Sequence, residues 1–179
     1  IADGIINFRF GTTDTAENVA INVLSVRSYV NYAVNDTFKY DANGKTPFGY
    51  SGDATVLNGE VLLNTGSFAR SFDPVSGNIV AETMFLLPQA RDMTVTLASG
   101  SRPLVAFSAQ NGDLYAGQTL LVKGFEANMW HRLRIEANTD TQTVTVKLNG
   151  KKVGEVPFAS PATSADTLTM TTFGEPFPE

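Results

Sequence analysis

The sequence predicts an all-β fold, an antiparallel β-sandwich with the double-sheet arrangement of a jelly roll. Three observations carry that expectation. Apolar and polar residues alternate with period two along much of the chain, as in strands buried on one face only. Clusters of Gly, Asn, Asp and Ser recur at short intervals, as tight turns require. Helical periodicity is nearly absent, and charged residues make up only 17% of a chain rich in Thr, Val, Asn, Gly and Ser, a mixture suited to strands joined by polar turns.

Taken in order, Ile5–Phe10 sets Ile6, Phe8 and Phe10 against Asn7 and Arg9, a half-buried strand. Glu17–Val34 follows a candidate N-cap, Thr15, but its β-branched Val19, Ile21, Val23 and Val26 favour strand or irregular structure over a short helical turn. Asp41-Ala42-Asn43-Gly44 and Tyr50-Ser51-Gly52-Asp53 read as turns. Leu57–Leu63 reads as a strand interrupted by Asn58-Gly59, and Asp73–Asn78 as a loop. Ile79–Leu87 is a strand stopped by Pro88, and Met93–Leu97 alternates cleanly. Leu104–Ser108, the turn Gln110–Asp113 and Leu114–Ala116 have the spacing of a hairpin. Leu120–Val122 is short. Trp130–Ala137 alternates Trp130, Arg132, Arg134 and Glu136 with His131, Leu133, Ile135 and Ala137. After a polar turn, Thr143–Asn149 sets Val144, Val146 and Leu148 against Thr143, Thr145 and Lys147. Asn149-Gly150 turns the chain into Val153–Phe158, and Leu168–Phe173 is the last strand. About a dozen short strands of this kind build a sandwich or barrel. No internal linker or repeat interrupts residues 1–174, which are expected to form one domain; residues 175–179, Glu-Pro-Phe-Pro-Glu, read as the start of a linker.

Composition narrows the function. A chain of 179 residues is long enough to build a core without staples. Cysteine is absent, which removes disulfides, thiolate metal sites and thiol nucleophiles. The 13 basic residues are scattered in a chain of formal charge -5, so neither nucleic acid nor an anionic membrane is an expected partner. No apolar stretch approaches the ~20 residues of a membrane span. Ile1-Ala2-Asp3-Gly4 has no basic or apolar leader character, as after removal of a signal peptide or excision from a longer chain.

Catalytic motifs are missing. The single histidine, His131, has no Gly-x-Ser-x-Gly partner and reads as a surface or rim residue. Glycosidases need paired carboxylates, yet Glu82 stands isolated and Glu136 is followed by a turn containing Asn138 and Asp140. Gln89-Ala90-Arg91 and His131 are only fragments of a lyase cluster. No catalytic residue is therefore assigned. Asp41-Ala42-Asn43-Gly44 opens like an oxygen-ligand loop, but Lys45 follows and no Glu closes it, so it reads as a turn.

The run Trp130-His131-Arg132-Leu133-Arg134-Ile135-Glu136, followed by Thr143–Lys151 ending in Asn149-Gly150-Lys151, resembles the concanavalin A-like, or laminin G-like, jelly-roll superfamily. Val80–Phe85 supplies the strand that often precedes these, and the resemblance covers about residues 79–173. On their own physics Trp130 serves the core and Asn149-Gly150 a type I′ turn. Phe8-Arg9-Phe10-Gly11, Tyr29 or Tyr32, and Phe48-Gly49-Tyr50 are similar to the entry segments of bacterial modules attached to pectin- and rhamnogalacturonan-active enzymes. The resemblance implies a secreted or cell-surface bacterial protein in which a non-catalytic carbohydrate-binding module targets an appended catalytic domain to a plant cell-wall polysaccharide, pectin among the options. It requires no cofactor and leaves a structural calcium ion as an option, with its ligands unassigned. The alternatives are a structural or adhesion sandwich that binds protein, and a polysaccharide lyase or glycoside hydrolase on the same fold.

Sugar binding needs an aromatic face for the ring C–H groups and polar side chains for the hydroxyls. Loops on a rigid sandwich are the usual place for both. The expected ligand-binding residues are Tyr32, Tyr40, Tyr50 and Tyr115, with Asn35 and Arg91 as polar partners. The overall negative charge favours a neutral or weakly charged polysaccharide or oligosaccharide.

Overall fold

The computed structural model describes residues 33, 38–63, 66–88 and 92–173. The expected strand Ile5–Phe10, nearly all of Glu17–Val34, the Gln89-Ala90-Arg91 fragment and residues 174–179 lie outside the described residues. Among the described residues all regular structure is β. In chain order the strands are β1 (Ser51–Gly52), β2 (Thr55–Leu57), β3 (Glu60–Leu62), β4 (Gly66–Val75), β5 (Asn78–Leu86), β6 (Asp92–Ser99), β7 (Arg102–Gln110), β8 (Asp113–Ala116), β9 (Thr119–Val122), β10 (Trp130–Asn138), β11 (Thr143–Leu148), β12 (Lys151–Pro157) and β13 (Ala165–Phe173).

Every described strand pair is antiparallel. Seven strands form one sheet in the order β1-β4-β13-β6-β7-β8-β9, four form a second in the order β12-β11-β10-β5, and β2-β3 is a separate hairpin. The chain crosses between sheets repeatedly, as a jelly roll requires. One cluster of buried side chains joins the two large sheets. Met93, Val95, Leu97, Leu104, Phe107 and Leu114 come from the seven-stranded sheet. Ile79, Phe85, Leu133, Ile135, Val144 and Val146 come from the four-stranded one. Period-two alternation thus assigns one face of each sheet to the core and leaves the other outside.

Three of the four Asn-Gly pairs form hairpin turns. Asn58-Gly59, Asn111-Gly112 and Asn149-Gly150 all have positive φ at both residues, the geometry of a type I′ hairpin. They join β2 to β3, β7 to β8 and β11 to β12. The expected interrupted strand at Leu57–Leu63 is therefore a hairpin of two strands.

Asp73–Asn78 is not a loop. β4 runs through Pro74 to Val75, and only Ser76-Gly77 is left to turn. The ladder between β4 and β13 is irregular between the pairs Val75–Ala165 and Ser71–Thr167. Pro74 falls in that gap, where no ladder bond asks for its missing N–H. Composition alone reads Asp-Pro and Ser-Gly as a single loop because it cannot see the bulge. Asp92 opens β6, and Arg102 opens β7.

Candidate functional site

β10 is the organising element. His131, Leu133, Ile135 and Ala137 point inward and are buried. Trp130, Arg132, Arg134 and Glu136 share the outer face of the four-stranded sheet. Trp130 is not a core residue: it is 46% exposed. The alternation that buries Leu133 and Ile135 puts Trp130 on the side of the arginines, because its offset from them is even.

His131 takes the inward position and is buried, not a surface or rim residue. Its ring lies against Phe125, with centroids 4.4 Å apart, and against Phe85 at 5.8 Å. Both ring nitrogens are satisfied. Asn149 Oδ1 accepts the Arg132 backbone N–H at 2.9 Å. That orients the amide so that its Nδ2 donates to His131 Nδ1 at 3.1 Å. Nε2 is then the protonated nitrogen and donates to the Glu126 carbonyl at 2.7 Å. His131 holds a loop and a hairpin together and is not available as a base for a substrate.

Cross-strand pairing assembles the rest of the outer face. Leu86 lies opposite Trp130, Met84 opposite Arg132, Glu82 opposite Arg134 and Val80 opposite Glu136. Met84 is 61% exposed, and Val80 and Leu86 are exposed too. Glu82 is not isolated. Its Oε2 forms an ion pair with Arg132 Nη2 at 3.1 Å and accepts from Arg134 Nη1 at 3.4 Å. Arg134 Nε donates to Glu136 Oε1 at 2.7 Å, and Lys147 Nζ from β11 donates to the same oxygen at 2.8 Å. The chain Arg132, Glu82, Arg134, Glu136, Lys147 therefore runs unbroken across three strands, beginning beside the indole. On β12, Lys152 and Glu155 add a further pair at 2.7 Å.

The network sets the charge states. The Lys147 hydrogen bond, reinforced by that of Arg134, holds the Glu136 carboxyl below the usual carboxylate range against the opposing effect of partial burial. The Glu136 hydrogen bond, with that of Glu82, stabilises the Arg134 cation further. A glycosidase acid needs a raised pKa. Glu136 is shifted in the opposite sense, and the two carboxylates are bridged by Arg134 on an open sheet face.

The predicted site residues that are described, Tyr40, Tyr50 and Tyr115, are not gathered into one place. Tyr32, Asn35 and Arg91 lie outside the described residues. Tyr40 is 90% exposed on the turn before β1, with Lys39 Nζ 5.7 Å from its ring centroid. Tyr50 is packed between Phe38 and Phe68, with the Arg70 guanidinium 5.3 Å from its ring centroid. Tyr115 lies on β8, where its hydroxyl donates to Asp113 at 3.4 Å. Tyr50 precedes β1, which is five strand steps from β8 in the seven-stranded sheet, so these two residues belong toward opposite edges of that sheet. The Asp41–Gly44 segment is a turn: Asp41 Oδ1 accepts from Phe48 N and Asn43 Oδ1 from Asn58 N. Among the described residues no three His, Asp or Glu side chains converge as metal ligands, so no calcium position is assigned.

No protein-family model and no curated protein matches the sequence. Solved structures do match. The chain is similar to the carbohydrate recognition domain of Emp46p in its potassium-bound form, at 7% identity and a TM-score of 0.55 over 78% of this chain and 88% of that one. It is similar to the apo Crh5 transglycosylase, at 14% identity and a TM-score of 0.52 over 77% of this chain and 67% of that one. A sialidase matches at 13% identity and a TM-score of 0.55 over 64% of this chain, which covers 11% of the sialidase. The fold is an antiparallel jelly-roll β-sandwich. At such identities the likeness extends to the fold alone. Within this sandwich the Trp130 face is the feature the sequence pattern misjudged. The signal was present in the even spacing of Trp130, Arg132 and Arg134, but Glu82 joins them only through strand pairing.

Proposed function

We propose that this chain is a non-catalytic carbohydrate-binding domain whose ligand surface is the outer face of β5 and β10. The observation that carries this is the exposed Trp130 beside an oriented Arg132–Glu82 pair. The indole, flanked by Leu86 and Met84, offers an apolar platform for the C–H face of a sugar ring. Arg132 is 53% exposed and anchored by Glu82, so it keeps free N–H groups for hydroxyls, while Glu82 offers an acceptor. Holding both in place before binding lowers the ordering cost. The carbohydrate recognition domains of Emp46p and Emp47p, built on the same fold, support the ligand class.

The ligand is a polysaccharide or oligosaccharide, of plant cell-wall type. The domain serves a secreted or cell-surface bacterial enzyme as its targeting module. These finer statements rest on the resemblance at Phe48-Gly49-Tyr50 and its neighbours. A second function is favoured by the exposed Met84 and Leu86 on β5 beside Trp130: an exposed apolar patch also suits a protein partner.

Affinity electrophoresis against a polysaccharide panel separates the two. The wild-type chain is retarded by at least one glycan, and Trp130→Ala loses that retardation. Its folding stability changes by less than about 1 kcal/mol, because the side chain is half in water already. A wild-type chain that migrates freely through every glycan leaves only the protein-binding role.

A further inference from the structure

A cavity of about 360 Å³ opens at the end of the sandwich where β5 stops and β10 begins. Leu87 and Pro88 from the end of β5, Phe125 and Asn128 from the segment before β10, and Asn111 and Gly112 from the β7–β8 turn line it. Its size falls within the range of small-ligand sites, roughly 300–1,000 Å³.

The cavity and the Trp130 face share a boundary. Asn128 precedes Trp130 by two residues, and Leu87 follows Leu86, the cross-strand partner of Trp130. The Asn128 N–H donates to the Leu87 carbonyl at 2.9 Å, which closes the end of the ladder. Along an extended chain Asn128 and Trp130 lie at most about 7 Å apart.

The described part of the lining is uncharged, and hydrogen bonds hold the turns beside it. Asp92 Oδ1 accepts the Asn111 backbone N–H at 3.1 Å, and Asp113 Oδ1 accepts that of Gly124 at 2.9 Å. Asn111 and Asn128 both have positive φ, and among the described residues neither side-chain amide has a hydrogen-bond partner in the chain. Two amides offer donors and acceptors together, the complement of neutral hydroxyls. Among the described residues none that lines it carries an ionised side chain, so these residues offer an entering carboxylate no paired cation. Another cavity of similar size differs on both counts: it is lined by Arg102, and the Gln142 amide in it is consumed by the Thr139 and Ala162 backbone.

We infer that the Trp130 site continues into this cavity, and that the ligand is a neutral oligosaccharide of at least two rings, one on the indole and the next between Asn111 and Asn128. The inference rests on the sugar-binding function proposed above. Calorimetric titration tests it with two series of one to four rings, one neutral (gluco-, xylo-, manno- and galacto-oligosaccharides) and one acidic (oligogalacturonates). Asn111→Gly and Asn128→Gly remove the amides while glycine keeps the positive φ, and thermal melting verifies that each variant is folded.

For the wild type, the best neutral series gains at least tenfold in affinity between one ring and two or more. Each glycine variant lowers that gain about threefold to tenfold, the worth of a hydrogen bond or two, and leaves single-ring binding unchanged. Trp130→Ala weakens both. Affinity independent of length, a length gain untouched in both glycine variants, or preference for the acidic series overturns the inference while sugar binding stands. Absence of binding by every member of both series removes the proposed function, and this inference with it.

Discussion

His131 shows what one side chain can tie together. Its inward position on β10 places it against Phe85 and Phe125, while its nitrogens reach the Glu126 carbonyl and the Asn149 amide. Asn149 has two tasks at once: with φ 51° it opens the β11–β12 turn, and its side chain orients the histidine. The tasks separate experimentally. Asn149→Gly keeps a residue suited to positive φ but leaves His131 Nδ1 and the Arg132 N–H without their partner. The expected loss is about 1–3 kcal/mol, measured by urea denaturation. An unchanged midpoint would show that Asn149 serves only the turn. Trp130 makes the opposite case, a large apolar side chain whose removal is expected to cost binding and almost no stability.

At the scale of strands and turns, two devices hold the sheets. The first is close backbone approach. Gly52 on β1 has φ 117°, and a Cβ built there would lie 2.0 Å from the Ser67 carbonyl oxygen of β4. Backbone cannot yield as a side-chain tip can. Gly52→Ala is therefore expected to cost at least about 1 kcal/mol and to loosen the β1–β4 edge, visible as faster amide exchange in β1 and at Ser67 and Phe68. The second device is the ion network across β5, β10 and β11. Glu136 has its folded pKa lowered by Lys147 and Arg134, so the folded state binds this proton less readily than the unfolded chain. Its contribution is full above the ordinary glutamate range, around pH 4.3, and is lost as pH falls through the lowered folded value. Stability of the wild type should therefore decline below about pH 4.3 more steeply than that of Glu136→Gln, in urea titrations from pH 6 to about pH 3. Parallel profiles would assign the acid response to other carboxylates.

For the whole molecule, stability resides in the single cluster between the two large sheets. Phe107 is fully buried there, and Phe107→Ala is expected to cost roughly 3–5 kcal/mol in thermal or urea unfolding, several times the effect of Trp130→Ala. A loss below about 1 kcal/mol would mean that the sheets are not packed as described. That contrast follows from burial alone: the same change in hydrophobic size counts where water is excluded and hardly counts where it is not.

By itself the sequence determined the class of fold and most of its strands. Alternation such as Met93–Leu97 and Thr143–Leu148, and turns such as Asn111-Gly112 and Asn149-Gly150, are local statements, written in φ preferences and a period of two. It also excludes thiol chemistry, since the chain has no cysteine. β4 stayed hidden because Arg70 sits between Phe68 and Phe72 and Pro74 imitates a loop. Only the tertiary structure decided the face that Trp130 occupies, the burial of His131 and the joining of Glu82 to Arg134, 52 residues away. The tyrosines named from turn-rich sequence show the same divide: Tyr50 packs while Tyr40 is exposed, a difference no local pattern encodes. The reason is physical. Alternation says that one side of a strand is wet, but which strands lie beside it, and hence which side chains share that wet side, depends on pairings made across the whole chain.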